Sequence, residues 1–193
     1  NGKTISGMWG TESFYKKAET QYSNGNYKAA ITNYTKAIDM DPNDYFAFGA
    51  RGLSKYYLND YAGAISDYTK AIEIEPNTSS NYNNRGVAKN QLEDYAGAIA
   101  DYDRGIEIDP NNAHGYRQKA NSYYELQNYQ AAKFNSTKAI ELDPNNASGY
   151  YLRAWHNYKL GDSSNACRDI KKAIELSPDD YNIDDEIYKL VCN

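Results

Sequence analysis

Small and apolar residues recur along the chain with a period of 34 residues. Cutting at this period gives five segments: 11–44, 45–78, 79–112, 113–146 and 147–180. The eighth position of each segment is always small, namely Ala18, Gly52, Gly86, Ala120 and Ala154. Spacings of three, four and seven between the apolar residues predict two amphipathic helices in every segment. The small residues let the two helices approach closely.

The prolines follow the same period. They are Pro42, Pro76, Pro110, Pro144 and Pro178, and the chain has no others. Each is followed by Asn or Asp, and a proline disfavours helix in the residue before it. The second helix of each segment should therefore end at its proline. The pattern predicts an all-α fold, an α-solenoid of five helical hairpins.

This pattern resembles the tetratricopeptide repeat. The residues that carry it are an aromatic at position four, small residues at eight, Ala at twenty and Pro at thirty-two, as in Phe14, Ala18, Ala30 and Pro42. The resemblance implies a right-handed superhelix whose concave side binds other proteins. Segment four departs from the pattern: Ser136 replaces the Tyr of the first three segments, and Lys133 replaces an Ile.

Short segments flank the five repeats. Residues 1–10 form a leader in which Trp9 is expected to cap the first hairpin, and residues 181–193 are expected to form a capping helix. The chain begins with Asn rather than Met, so it is either a mature form or a fragment. Its localisation is left open.

Composition narrows the possible functions. The chain has 21 Lys+Arg against 26 Asp+Glu, a formal charge of −5, which disfavours nucleic-acid binding. No apolar run approaches the length of a membrane span. With 2 His and 2 Cys, neither at ligand spacing, we expect no metal, no cofactor and no enzymatic activity.

The two cysteines allow two states. Cys167 occupies a core position of the last hairpin, and Cys192 lies in the predicted cap. Buried free thiols are the expected state. A disulfide is the alternative, since the two elements should be neighbours.

Positions seven and twenty-three vary together. Arg at position seven occurs only with Asp at twenty-three, whereas Lys occurs only with Asn. We therefore expect structural ion pairs, partly buried, between Arg51 and Asp67, Arg85 and Asp101, and Arg153 and Asp169.

Other positions of each first helix should face away from the neighbouring helices and line the concave side. Aromatic side chains provide rigid anchoring surface, and amides can bond a peptide backbone. The predicted groove residues are Tyr15, Tyr22, Phe46, Leu53, Tyr56, Asn83, Asn84, Asn90, Arg117, Gln118, Asn121, Tyr124, Tyr151, Trp155 and Tyr158.

These residues favour a protein-binding scaffold or adaptor that holds a peptide or helix of a partner. The resemblance also allows a test for the carboxylate clamp of heat-shock co-chaperones. Aligned with its Lys/Asn/Asn/Lys/Arg roles, this chain places at most one matching residue, such as Asn84, and no cation. Self-assembly into a homo-oligomer, suggested by Phe134 on an expected outer face, is one alternative. RNA binding is another, disfavoured by the charge.

Overall fold

The described residues form eleven helices and no strand. The structure is a computed structural model that describes residues 5–182 and 184–192, with side chains from residue 12 onward. The predicted cap by Trp9 lies outside the described side chains. The helices are α1 (Ile5–Ser23), α2 (Tyr27–Met40), α3 (Tyr45–Tyr57), α4 (Tyr61–Ile74), α5 (Ser79–Gln91), α6 (Tyr95–Ile108), α7 (Ala113–Glu125), α8 (Tyr129–Leu142), α9 (Ala147–Lys159), α10 (Ser163–Leu176) and α11 (Glu186–Val191).

The helices belong to two compact units, Asn1–Asp94 and Tyr95–Asn193. In the first unit, each helix from α1 to α4 packs on the next one along the chain, ending with α4 on α5. In the second unit, α6 to α10 each pack in the same way on the helix that follows, ending with α10 on α11. The predicted all-α architecture of successive helical hairpins is confirmed. Helix α1 begins inside the predicted leader, and α11 has six residues.

Local signals explain where the helices begin and end. An Asn or Asp side chain accepts a hydrogen bond from the backbone N–H three residues later at six helix starts, and so satisfies a donor that the helix leaves free. These residues are Asn26, Asp44, Asp60, Asn112, Asn128 and Asp162. Positive φ angles at Gly25, Asn59, Glu93, Gln127 and Gly161 turn the chain from the first helix of each repeat into the second.

The core consists of thin layers of alanine with one large ring. In the first unit, Ala18 and Ala30 are fully buried against Tyr34. At position 52 a Cβ would lie 3.0 Å from the ring of Tyr68, so any side chain larger than glycine would require that ring to shift by a few tenths of an ångström. Close helix approach therefore depends on the small residues that carry the repeat pattern.

The last hairpin is closed by α11, and here the sequence prediction needs a correction. Ile187 and Val191 of α11 are buried in the same apolar cluster as Ile170 of α10. This packing brings the Cα atoms of Cys167 and Cys192 to 5.0 Å, and the two residues form a disulfide. The expectation of free thiols is wrong, because the cap places the two sulfur atoms side by side.

Candidate functional site

The first helices of the first unit expose an apolar and aromatic surface. Phe46 of α3 is 60% exposed and stacks on Tyr45, with ring centroids 4.0 Å apart. Leu53 lies two turns further along α3 and is half-buried. On α1, Tyr15 is half-buried with its ring edge against Tyr34 at 5.5 Å. This surface offers a ligand rigid rings rather than flexible side chains.

Five tyrosines cluster near the turns that join α1 to α2 and α3 to α4. Tyr27 and Tyr57 stack with ring centroids 4.9 Å apart, and Tyr22 lies edge-on to both. Tyr56 joins Tyr57 at 5.9 Å and Tyr61 at 5.4 Å. Burial raises the pKa of Tyr22 and of Tyr56, so both hydroxyls stay protonated and can donate hydrogen bonds. Tyr22 and Tyr56 were predicted as groove residues, whereas the packing of Tyr27 and Tyr57 on them was not.

The predicted asparagines of α5 differ in accessibility. Asn84 and Asn90 are half-buried, but Asn83 is only 3% exposed, so the expectation that it lines an open groove is wrong. Gly49 of α3 occupies the equivalent position in the second repeat, and a Cβ there would lie 2.9 Å from the Asn81 amide oxygen of α5. A neighbouring helix can therefore cover a short side chain at this position of the repeat.

In the second unit, α7 and α9 form an open cavity of about 240 Å³ on the surface. Three of the predicted groove residues line it: Asn121 and Tyr124 of α7 and Trp155 of α9. The wall is completed by Glu125, Leu152 and His156. Leu152 and Trp155 are one turn apart on α9, and Trp155 is half-buried with its ring edge-on to Tyr158 at 6.0 Å.

The charge in this cavity comes from a single carboxylate. Burial lowers the pKa of His156 to about 4, so its imidazole is neutral at pH 7. Glu125 is exposed at the end of α7 and forms no ion pair with any residue that the structure describes. The Lys159 ammonium lies beside the Tyr124 hydroxyl and 6.0 Å from the Tyr158 ring centroid. Glu125 and His156 were absent from the predicted groove, and no repeat-wide pattern marks either of them.

The remaining predicted groove residues of the second unit have partners within it. Arg117 approaches Asp143 at 4.0 Å, and Gln118 is hydrogen-bonded to His114 at 3.2 Å. Tyr151 stacks on Tyr181 at 4.6 Å, which covers one of its faces. These three side chains are thus less available than Asn121, Tyr124 and Trp155 to a ligand.

Two of the three expected ion pairs lie within single units and have bidentate geometry. Arg51 Nε and Nη2 donate to the two carboxylate oxygens of Asp67 at 2.9 and 2.7 Å. Arg153 donates to Asp169 in the same way at 2.8 and 2.7 Å. Both carboxylates are buried. The pair of Arg85 and Asp101 stays a prediction.

A compensating pair accounts for Lys119, which stands where the second, third and fifth repeats have Arg. Its ammonium donates to the carboxylate of Asp103, at a position where the first, second and fourth repeats have Thr. The Asn135 amide, which replaces the usual Asp, donates instead to the Ala131 carbonyl at 2.8 Å. The covariation of positions seven and twenty-three therefore involves a third position, the one that Asp103 occupies.

A second compensation explains the departure at Ser136. The first three repeats have a tyrosine at the position of Ser136, namely Tyr34, Tyr68 and Tyr102. In each case the residue twenty positions later is small. Ser136 instead precedes His156, and the Oγ of Ser136 is hydrogen-bonded to Nδ1 of His156 at 3.1 Å. The large and small residues have exchanged places between α8 and α9, so the volume of the layer is kept.

Three further features concern the described residues. No group of three or more His, Cys, Asp or Glu among them could hold a metal ion. Over the same part of the chain, no helix is both long and apolar enough to cross a membrane. On the second helix of repeat four, Phe134 is 61% exposed, as the sequence predicted for an outer face.

Family models of the tetratricopeptide repeat match residues 11–44, 47–78, 81–112, 113–146 and 147–180. No curated protein matches by sequence.

Solved structures resemble the fold at low sequence identity. MamA 41-end from Desulfovibrio magneticus RS-1 superposes with a TM-score of 0.81 at 18% identity, over 87% of this chain and 95% of that one. YrrB, described as a TPR protein with an unusual peptide-binding site, gives 0.72 at 20% identity over 86% of each chain. Pseudomonas aeruginosa pilF gives 0.79 at 17% identity over 89% and 78%.

Proposed function

Because the chain belongs to the tetratricopeptide repeat family, whose members are protein-interaction scaffolds, we propose that it is a non-catalytic adaptor that binds a peptide or helix of another protein. Binding uses the outward surface of the first helix of each repeat. The observation that carries this proposal is the cavity on α7 and α9, where Trp155 and Leu152 leave apolar surface uncovered beside the Asn121 amide. An apolar cavity with a few polar groups is typical of a ligand site.

The first unit supports the same proposal. Exposed Phe46 and half-buried Leu53 form an apolar surface that hairpin packing does not require, and Tyr56, which packs on the core at Ala64 and Tyr68, extends it. The carboxylate clamp of the heat-shock co-chaperones needs cations that this chain lacks at the aligned positions. The proposed partner is therefore held through internal residues of its segment rather than through its terminal carboxylate.

A paired pull-down from lysate of the source organism tests the proposal. The baits are the native chain, a Tyr56→Ala/Asn121→Ala/Trp155→Ala variant and a Phe134→Ala control, each checked for native helix content by circular dichroism. A partner retained by the native chain and the control but lost by the triple variant supports binding on the first helices. Equal retention by all three baits would overturn it.

Self-assembly is the second candidate function, favoured by the exposure of Phe134. In that case, light scattering should show a mass above 21.8 kDa that increases with concentration. The Phe134→Ala variant should return the chain to a monomer. A native monomer at all concentrations would eliminate this candidate.

A further inference from the structure

We infer that the cavity on α7 and α9 receives a lysine or arginine side chain from an extended segment of the partner. This inference rests on the proposed function, because it names the residue type that the same surface selects. It follows from three properties of the cavity: its size, the rings and methyl groups that line it, and the sign of its charge.

The size fits one side chain. At about 240 Å³ the cavity is smaller than the roughly 300–1,000 Å³ that is common for sites of whole small molecules. It is lined by residues of α7 and α9, the first helices of repeats four and five, where the proposed function places the peptide. A single long side chain that projects from such a peptide matches this volume.

The lining suits a long side chain with an apolar stem. Leu152 and the ring of Trp155 offer apolar surface to methylene groups, and lysine and arginine bury such stems readily. Indole is also the aromatic ring that attracts a cation most strongly through its face. Tyr124, whose hydroxyl stays protonated because burial raises its pKa, adds a second ring to the lining.

The charge selects a cation. Glu125 is the one charged residue among the six that line the cavity, since His156 is neutral. It lies in the last turn of α7, where the helix dipole adds negative potential. Residues 95–193 contain 15 Asp+Glu against 11 Lys+Arg, so the whole unit also attracts basic segments.

The alternatives fit less well. An acidic side chain would meet the carboxylate of Glu125 without a cation among the lining residues to pair with. A purely apolar side chain would cover the Asn121 amide without offering it a hydrogen bond, and that loss costs binding energy. Lys159 lies nearby, but its ammonium is beside the Tyr124 hydroxyl rather than against Glu125.

A library of randomised nine-residue peptides tests the inference on the full chain. Peptides retained by the immobilised native protein should share Lys or Arg at one position. Replacing that residue with Met in the best peptide should weaken binding, as measured by fluorescence anisotropy, by roughly tenfold. Trp155→Ala should weaken the same peptide by roughly thirtyfold, the loss typical of a buried aromatic anchor.

Two matched variants distinguish the effect of the carboxylate in the cavity from the effect of the net negative charge of the second unit. Glu125→Gln should reduce the preference for Lys over Met to roughly twofold. Glu141→Gln removes the same charge from an exposed site on α8, outside the cavity lining, and should leave the preference unchanged. Both substitutions are on exposed residues, so the fold is retained.

The outcomes distinguish the inference from the proposed function. Retained peptides that depend on Trp155 but show no basic preference, or a preference that Glu125→Gln leaves intact, would overturn the inference alone. If no peptide is retained in a manner that depends on Trp155, both the inference and the proposed binding surface are wrong.

Discussion

Removing Asp169, the buried partner of Arg153, should destabilise the fold far more than removing the acid of an exposed ion pair with equally short hydrogen bonds. The Asp169 side chain is 4% exposed and accepts three hydrogen bonds, two from Arg153 and one from Asn157 at 3.0 Å. Replacing Asp169 with Ala leaves a guanidinium that is only 20% exposed without its anion. Removing one partner of a buried pair costs about 3–5 kcal/mol, and the partial exposure of Arg153 lowers our expectation to about 2–3 kcal/mol.

An exposed pair on the same helix provides the control. Lys172 and Glu175 of α10 approach at 2.6 Å, but their side chains are 37% and 68% exposed. Such pairs contribute about 0.5 kcal/mol or less. Glu175→Ala should therefore hardly change the stability, although its contact is as short as that of Asp169.

Urea unfolding, followed by circular dichroism, measures both variants and their double-mutant cycles. We expect Arg153→Met/Asp169→Ala to be less destabilised than the sum of its two single variants, because the two side chains act together. The reasoning is refuted if Asp169→Ala loses no more free energy of unfolding than Glu175→Ala.

Three other predictions concern the second unit. Cys192→Ser should lower the free energy of unfolding by about 3 kcal/mol in non-reducing urea titrations, since the disulfide closes a loop across 25 positions; equal stability would contradict this. Because the pKa of His156 is about 4 when folded and near 6.5 when unfolded, stability should fall as pH drops through this window, by about 3 kcal/mol at pH 4. His156→Gln should lack this component when the two proteins are titrated side by side; identical pH profiles would exclude it. Ser136→Tyr alone should cost about 2 kcal/mol by overpacking, and adding His156→Ser should restore most of the loss in thermal melts; additive losses would contradict the exchange of volumes.

The repeat pattern predicts most of the fold because its spacing follows directly from helix geometry. Small residues such as Ala30 and the regular prolines mark where helices pack and end, and these signals are local. The disulfide was harder to predict, since Cys192 lies outside the repeats and its neighbours depend on how α11 packs.

The candidate site was only partly predictable. Position numbers within a repeat indicate which side chains face outward. Asn121, Tyr124 and Trp155, which were named in this way, line the cavity, and their binding of a partner stays a prediction. Position numbers do not indicate how deeply a side chain is buried, so Asn83 was expected on the surface but is buried. His156 was not predicted to line the site, because its burial depends on Ser136, twenty positions earlier on another helix.

Site-specific photo-crosslinking tests the central claim most directly. A photoreactive amino acid is placed at position 121 on the first helix of repeat four, or at position 134 on its second helix, and the chain is exposed to lysate of the source organism. We predict that a partner protein crosslinks to position 121 and not to position 134. Crosslinking at position 134 alone, or only between copies of this chain, would contradict an adaptor that binds its partner on the first helices.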